Sequence, residues 1–352
     1  MPPNAPSIAA PPDAATPTSA SARSRSEPEP REAAWPASRG TTRVVVVIPT
    51  IRSLAFLDDW EEEFGGCQII VCEDHPERQI ELPTGWSIEH YSWAEIDREL
   101  GPRAWVIPRQ NAAIRNFGYW KAWQSGADVI VTIDDDCYPG SRPFLATHLA
   151  NLERRVTLGW QPVCGFYTRG FPYGIRDAHP VVVSHGLWEG IPDLDAPTQL
   201  LHGDLRLERP ETSQVVPRGS YFPMSGMNLA FRAEFAPAMW FPLMGRGWPF
   251  DRFDDIWAGV LAKRVADHLG LAMVSGLPTV DHRRASNVFA NLKKEAAGIE
   301  ANETFWRAVD SVRLDATTVG GAYRELAERL PLEGPYFDRL RQGMLTWLEL
   351  FS

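Results

Sequence analysis

Apolar and polar positions follow one another along this chain in two rhythms. In "RVVVVIPT", Val44 to Ile48 form an unbroken apolar run, the pattern of a strand buried on both faces. The runs "CQIIVCED" (67–74) and "DVIVTI" (128–133) repeat it, and "WSIEHY" (86–91) is a further strand candidate. Between the first two, Leu54, Leu57, Trp60 and Phe64 recur at helical spacing with acids among them. "NAAIRNFGYWKAWQSG" (111–126) predicts a helix closed by Gly126. Strands alternating with helices predict an α/β fold, a Rossmann-type, mostly parallel sheet flanked by helices.

The second half is more mixed. "FPMSGMNLAFR" predicts a strand feeding a helix, while "VVVSHGLWEGIPDLDAPTQL" is punctuated by Pro and Gly yet too rich in aromatic and apolar groups for a linker. "FDDIWAGVLAKRVADHLG" predicts a helix that opens on Asp254 and Asp255, where the helix dipole favours acids, and closes at Gly270. From about residue 283 the chain reads as helical, with Phe337, Leu340, Met344 and Trp347 in one apolar stripe. Residues 1–41 are rich in Pro, Ala, Ser and Arg, the composition of a disordered tail. The expected organisation is a tail (1–41), a nucleotide-binding catalytic domain (42–290) and a helical C-terminal extension (291–352) packing on that domain or on a partner.

Composition narrows the function classes. With 352 residues, 44% of them hydrophobic, the chain can bury a substantial core without staples. A formal charge of −10 argues against a general nucleic-acid binder. It leaves room for a nucleotide, because a bound metal and a few arginines set the local field. No apolar run is long enough to span a membrane, and the N-terminus lacks the apolar core of a signal peptide. Cys67, Cys72, Cys137 and Cys164 form no C-x-x-C pair, which disfavours zinc and suits a reduced, cytoplasmic protein.

The candidate chemistry sits where strands end. In open α/β sheets ligands bind beyond the carboxyl ends of the strands. Thr50 and Arg52 in "IPTIR", Asp74 in "CED" and the triplet Asp134, Asp135 and Asp136 all fall at such ends. An acid–x–acid pair after a buried strand suits a hard divalent cation, Mn²⁺ or Mg²⁺, completed by substrate phosphates. Asp134 and Asp136 are the natural ligands, and Asp135 is expected to face a ribose or to support them; a solvated acidic turn is the plain alternative. No G-x-x-x-x-G-K-[ST] and no G-x-G-x-x-G follows the first strand, which disfavours flavin and nicotinamide.

Strand-"IPT", "RNFG" in a helix, strand-"DDD" and a later "DD" at a helix start resemble glycosyltransferases of the GT-A type. "RGFPYGIR", "VSHGLWEGIPDLDAPTQL", "FPMSGMNLAF", "PAMWFPLMG", "DDIWAG" and "ASNVFANLKKE" closely resemble the reversibly glycosylated polypeptides, which are UDP-arabinopyranose mutases. The likeness runs from about Val44 to Trp306. It implies a GT-A fold, a divalent metal, a UDP-sugar substrate, interconversion of UDP-L-arabinopyranose and UDP-L-arabinofuranose, and reversible self-glycosylation on an arginine. The family's "WHSKAS" reads "DHRRAS" here, and the tail and the long helical C-terminus look more like a bacterial version than a plant one.

Carried onto this chain, the resemblance makes Arg169 the sugar-bearing arginine and Arg176 the second arginine of the motif. Chemistry alone reads both as diphosphate clamps, since a guanidinium stays protonated at neutral pH. His282 becomes a third metal ligand, with a structural role as the alternative. Asp254 or Asp255 handles protons as the ring opens and closes, or caps the helix. Arg115 reaches a phosphate, with Asn116 beside it. Asp74 accepts from uracil or caps a turn, His185 contacts substrate or holds a turn, and Trp188 and Trp248 stack on the ligand or fill the core. A homo- or hetero-oligomer is expected. Two other functions remain open, transfer of the sugar to a separate acceptor and a non-catalytic partner subunit of a mutase complex.

Overall fold

The structure is a computed structural model, and it describes residues 42–158, 166–203, 205, 210–283 and 287–352. The tail 1–41 and Cys164 lie outside the described residues.

The unbroken apolar runs are strands of one sheet. They are β1 (Val44–Thr50), β2 (Gln68–Glu73), β3 (Ser87–Tyr91) and β4 (Val129–Ile133). Later come β5 (Cys137–Pro139), β6 (Arg155–Val156), β7 (His179–Gly190), β8 (Gln214–Val215), β9 (Asn228–Arg232) and β10 (Ala272–His282). The order across the sheet is β3-β2-β1-β4-β9-β7-β10-β5, with β6 on β7 and β8 on β10. Strands β3, β2, β1 and β4 are parallel, and so are β7 and β10. Because β9 runs antiparallel to both β4 and β7, these two point the same way. The carboxyl ends of β1, β2, β4, β7 and β10 therefore share one edge, as the mostly parallel α/β expectation requires.

Burial on two faces explains why the first strands lack alternation. Val45 and Val47 of β1 enter one core cluster, and Val46 and Ile48 enter the other. On the first face α3 (Arg115–Gln124) lies so close that a Cβ on Gly118 would overlap Val47. On the second, Trp60 and Phe64 stack at 4.5 Å, with Phe64 ending α1 (Glu61–Phe64). Phe144, at the start of α4 (Phe144–Glu153), meets both rings edge-on. Short α2 (Trp93–Leu100) is held at its start by a reciprocal capping box of Ser92 and Glu95.

Helix α5 (Ala196–Leu201) and the long α6 (Asp254–Leu269) flank the second half; α6 starts and stops where its acids and Gly270 (φ +68) place it. After β10 follow α7 (Val288–Ser311), α8 (Val319–Arg329) and α9 (Pro335–Glu349). Tyr323, Leu326, Met344 and Trp347 of the last two join the first core cluster. The Trp120 indole donates to Leu350 O at 2.8 Å, and the Tyr336 hydroxyl to Leu243 O at 3.0 Å. The helical region after 290 thus packs on the same core as the sheet. Among the described residues no helix is long and apolar enough to cross a membrane.

One element departs from expectation. The segment quoted from Val181 onward begins inside the twelve-residue β7, which lies in the middle of the sheet. Its Ser, His and Gly look unlike a core strand, yet Ser184 and His185 are buried because neighbouring side chains satisfy them.

Candidate active site

A cavity of about 1030 Å³ opens at the shared carboxyl edge. Asp134 and Asp136 come to it from β4, His282 from β10, and His185, Trp188 and Asp193 from β7 and beyond. Segment 223–227 and the start of α6 line it as well, and α7 adds Lys294 and Glu295.

Two arginines answer the acid triplet. Arg115, 2% exposed, gives Nη2 to Asp134, Nη1 to Gly226 O and to Thr132 Oγ1 (3.1 Å), and Nε to Ala112 O (3.0 Å). Burial opposes its charge, but Asp134, Tyr119 and Asp255 outweigh that and hold its pKa above the ordinary value. Arg52 donates Nε to Asp135 at 3.0 Å and reaches Asp136 at 3.3 Å. Thr50 Oγ1 donates to Asp135 at 2.6 Å. Asp135 is thus the most fully held of the three, with its pKa raised by burial against the pull of Thr50 and Arg52. It supports the triplet rather than lining the cavity.

A second acid group faces this one. Asp255 Oδ2 accepts from Gly226 N at 3.1 Å, and Ser225 Oγ donates to Asp193 at 3.0 Å. Burial raises the pKa of Asp254 to about 6. Burial, then Asp254 and Asp193, holds Asp255 well above the carboxylate range, and burial raises Asp193 too. Carboxyls so perturbed inside a cleft can hold and release protons near neutral pH. Segment 225–226 ties the two groups together, since Gly226 offers its N to Asp255 and its O to Arg115. A Cβ there would sit 2.9 Å from the Phe241 ring, so glycine is required by space.

The donor set fits a hard divalent ion in part. Asp134, Asp136 and His282 line one cavity, and His282 Nδ1 donates to Ile191 O at 2.9 Å, which leaves Nε2 as the lone-pair nitrogen. Among the described residues no three acid, histidine or cysteine side chains converge into a ready-made cage. Mn²⁺ and Mg²⁺ sites that borrow ligands from a diphosphate and water do not need one.

Several expected residues lie elsewhere. Asp74 accepts from Trp93 Nε1 (2.8 Å), Gln110 N (2.9 Å) and Asn111 N (2.7 Å), so it organises the loop before α3 rather than meeting a base in the cavity. Asn116 bonds Phe241 in both directions, donating at 2.8 Å and accepting at 3.0 Å, and is a fixed part of the core. His185 lines the cavity but is spent on Ser275 and Ser225; burial lowers its pKa to about 4. Trp188 lines the cavity with a buried indole N–H that has no partner among the described residues, whereas Trp248 packs on Tyr336.

Arg169 and Arg176 are the largest displacement. Arg169 is exposed on a turn, and neither lines the cavity. Arg176 lies over Tyr167, Phe171 and Tyr173 and donates to Phe171 O at 2.7 Å. The same segment bonds Thr157 through Tyr167 and Asp177, beside the start of β7. From His179 to His185 β7 rises about 20 Å at ~3.3 Å per residue, so both arginines lie toward the opposite edge of the sheet.

Asp193, Arg252 and Glu295 were not singled out by the sequence. Asp193 stood inside the quoted "GIPDLD", and its neighbours Pro192 and Leu194 gave no strand end to flag it. Arg252 takes a left-handed φ of +62, which no sequence rule predicts for arginine, and Glu295 reaches it across 43 positions.

The chain matches the description "Reversibly glycosylated polypeptide" over residues 40–352. It is 41% identical to a probable UDP-arabinopyranose mutase 1 of Pisum sativum over 332 residues, 87% of this chain and 90% of that one. It is also 41% identical to UDP-arabinopyranose mutase 1 of Arabidopsis thaliana over 329 residues, 87% of this chain and 91% of that one. These are plant proteins and give no support to the expectation of a bacterial version. Mouse xyloside xylosyltransferase 1 aligns at a TM-score of 0.25 and 8% identity over 65% of this chain and 76% of that one, too slight a likeness to speak for the fold. With the match spanning the acid triplet, the cavity and the terminal helices, this chain belongs to the reversibly glycosylated polypeptide family.

Proposed function

We propose that this chain is a UDP-L-arabinopyranose mutase of GT-A type, an intramolecular transferase that interconverts UDP-L-arabinopyranose and UDP-L-arabinofuranose. The observation that carries the reading is one cavity with two acid groups of different character. Asp134 and Asp136 sit beside arginines. Asp193, Asp254 and Asp255 have raised pKa values. The names of the plant relatives supply the substrate class.

The chemistry needs both groups. Ring contraction breaks the C1–O bond to the diphosphate, forms C1–O4, breaks C1–O5 and re-forms C1–O to the same diphosphate, while one proton moves from O4 to O5. A divalent metal on Asp134 and Asp136, with His282, would offset the charge of the diphosphate as it leaves C1. Asp255, beside Asp193, takes the O4 proton and returns it to O5, a task for a carboxyl whose burial favours the proton-bound form. Arg115 sets Asp134 and the 225–226 backbone, and Trp188 and Phe241 give the cavity apolar lining against water, which would otherwise trap the sugar at C1. A covalent carrier role for Arg169 is not part of this step, because Arg169 does not line the cavity.

A cytoplasmic setting belongs to the reading, supported by the unpaired Cys67, Cys72 and Cys137; an oligomer belongs to it from the resemblance alone. The test is incubation with UDP-arabinopyranose and Mn²⁺ in the absence of any acceptor, followed by separation of nucleotide sugars. A mutase yields the furanose nucleotide with UDP-pentose conserved. A product formed only when a glycan or other acceptor is added would replace this reading with acceptor transfer.

A further inference from the structure

Arg252 brings to the cavity a strong donor that is held at one end and free at the other. Its Nε donates to Glu295 Oε1 at 2.7 Å, and its two Nη groups have no hydrogen-bond partner among the described residues. It lines the cavity and is only partly exposed. Its backbone holds a φ of +62, a conformation that L side chains other than Asn and Asp rarely adopt. Strain of that kind persists only where surrounding contacts enforce it.

The surroundings do enforce it. Glu295 is buried on α7 and divides its carboxylate between Arg252 and Ala196 N (2.7 Å), the first residue of α5. One turn on, Gly298 gives the ring of Phe253 room against α7, where any Cβ would overlap it. Residues 252 and 253 are therefore clamped to one helix from two sides. The guanidinium plane is fixed at Nε, and the fork end is left for a ligand.

The charge around Arg252 selects among ligand parts. Asp193, Asp251, Asp254 and Asp255 line the same cavity, with Lys294 3.9 Å from Asp251, and Asp193 and Asp255 act electrostatically on Arg252. A diphosphate brought here would face these carboxylates. A neutral polyol would find donors and acceptors interleaved, as hydroxyl recognition requires.

We propose that Arg252, set in place by Glu295, recognises the hydroxyls of the substrate's sugar ring, with Asp193 and Asp255 as facing acceptors. The inference rests on the mutase reading for the identity of the sugar but not for the existence of the subsite. The diphosphate then belongs at the acid-triplet end of the cavity.

Calorimetric titration of the parent, Arg252→Lys and Glu295→Gln with UDP and with UDP-arabinopyranose separates the roles. Lysine keeps the charge and loses the planar fork; glutamine keeps an acceptor oxygen and loses the ion pair. The expected result is UDP affinity within about twofold of the parent in both variants. UDP-arabinopyranose affinity falls by roughly tenfold or more in Arg252→Lys and by a smaller factor in Glu295→Gln. Equal weakening for both ligands would overturn the inference in favour of a diphosphate contact. Unchanged affinity for both would overturn it in favour of a structural role. If Arg252→Lys does not fold, Glu295→Gln carries the same comparison. Failure of the mutase reading would show separately, as absence of furanose product from the parent.

Discussion

Arg115, buried in α3, holds Asp134 at the end of β4 and with the same guanidinium holds Gly226 O. One side chain thereby fixes the acid triplet relative to the segment that carries Ser225 and Gly226, and through it the Asp193 and Asp255 pair.

Removing that side chain is predicted to be severe. Arg115→Met leaves Asp134, Thr132 Oγ1 and Gly226 O without their buried donor. Loss of one partner of a buried ion pair costs about 3–5 kcal/mol. Denaturant unfolding of the variant measures it; a loss below about 1 kcal/mol would mean that Arg115 serves the ligand rather than the fold.

The strand-end residues were legible because buried strands announce themselves as apolar runs, and the acids of 134–136 directly follow one. The helix at 254 was legible from its acids and Gly270. The partnerships were not. Asp74 at a strand end looks like a ligand contact, but backbone amides 36 and 37 positions away claim it. Asn116 is claimed by Phe241 across 125 positions. Long-range hydrogen bonds of this kind depend on tertiary packing and leave no local pattern. The same holds for Arg252, whose role comes from its backbone conformation and from Glu295.

Asp136 separates metal binding from stability. Its side chain meets Arg52 at 3.3 Å on the open side of the triplet, a contact of the partly exposed kind that contributes little. Asp136→Asn should shift the melting temperature by no more than about 2 °C. Its Mn²⁺ affinity in the presence of UDP and its turnover should each fall more than about tenfold. Parent-like Mn²⁺ binding would remove the triplet from the metal assignment.

The buried acids predict a pH dependence with a definite sign. Asp254 has a folded-state pKa of about 6 against 3.8 in the unfolded chain, so the folded state binds this proton more tightly. Its contribution to stability is present at low pH and is lost as pH rises through about 6. Asp254→Asn should therefore melt higher than the parent at pH 7–8, with the difference shrinking toward pH 4. Melting curves across that range check it; a difference that grows on acidification would contradict the assigned direction. His185, with its pKa lowered to about 4, acts oppositely and costs stability as pH falls below its unfolded value.

Arg169 sits toward the sheet edge opposite the cavity, so a sugar reaches it most directly from the cavity of another copy. Covalent labelling from radiolabelled UDP-sugar should then pass from the cavity of one chain to Arg169 of another. An Asp136→Asn chain should be labelled when mixed with parent, and Arg169→Lys should not be labelled at all. Asp136→Asn chains left unlabelled in the mixture would show instead that segment 166–178 moves to its own cavity.

The central claim is that one cavity contracts the ring while keeping UDP for its return. It is tested most directly by following UDP-[1-¹³C]-arabinopyranose with Mn²⁺ and no acceptor, by ¹³C and ³¹P spectra on one sample. The account predicts that the pyranose C1 signal is replaced in part by a furanose C1 signal, that the phosphorus remains a sugar diester throughout, and that Asp255→Asn abolishes the exchange while still binding UDP. Accumulation of free UDP with free arabinose, or full exchange in Asp255→Asn, would contradict it.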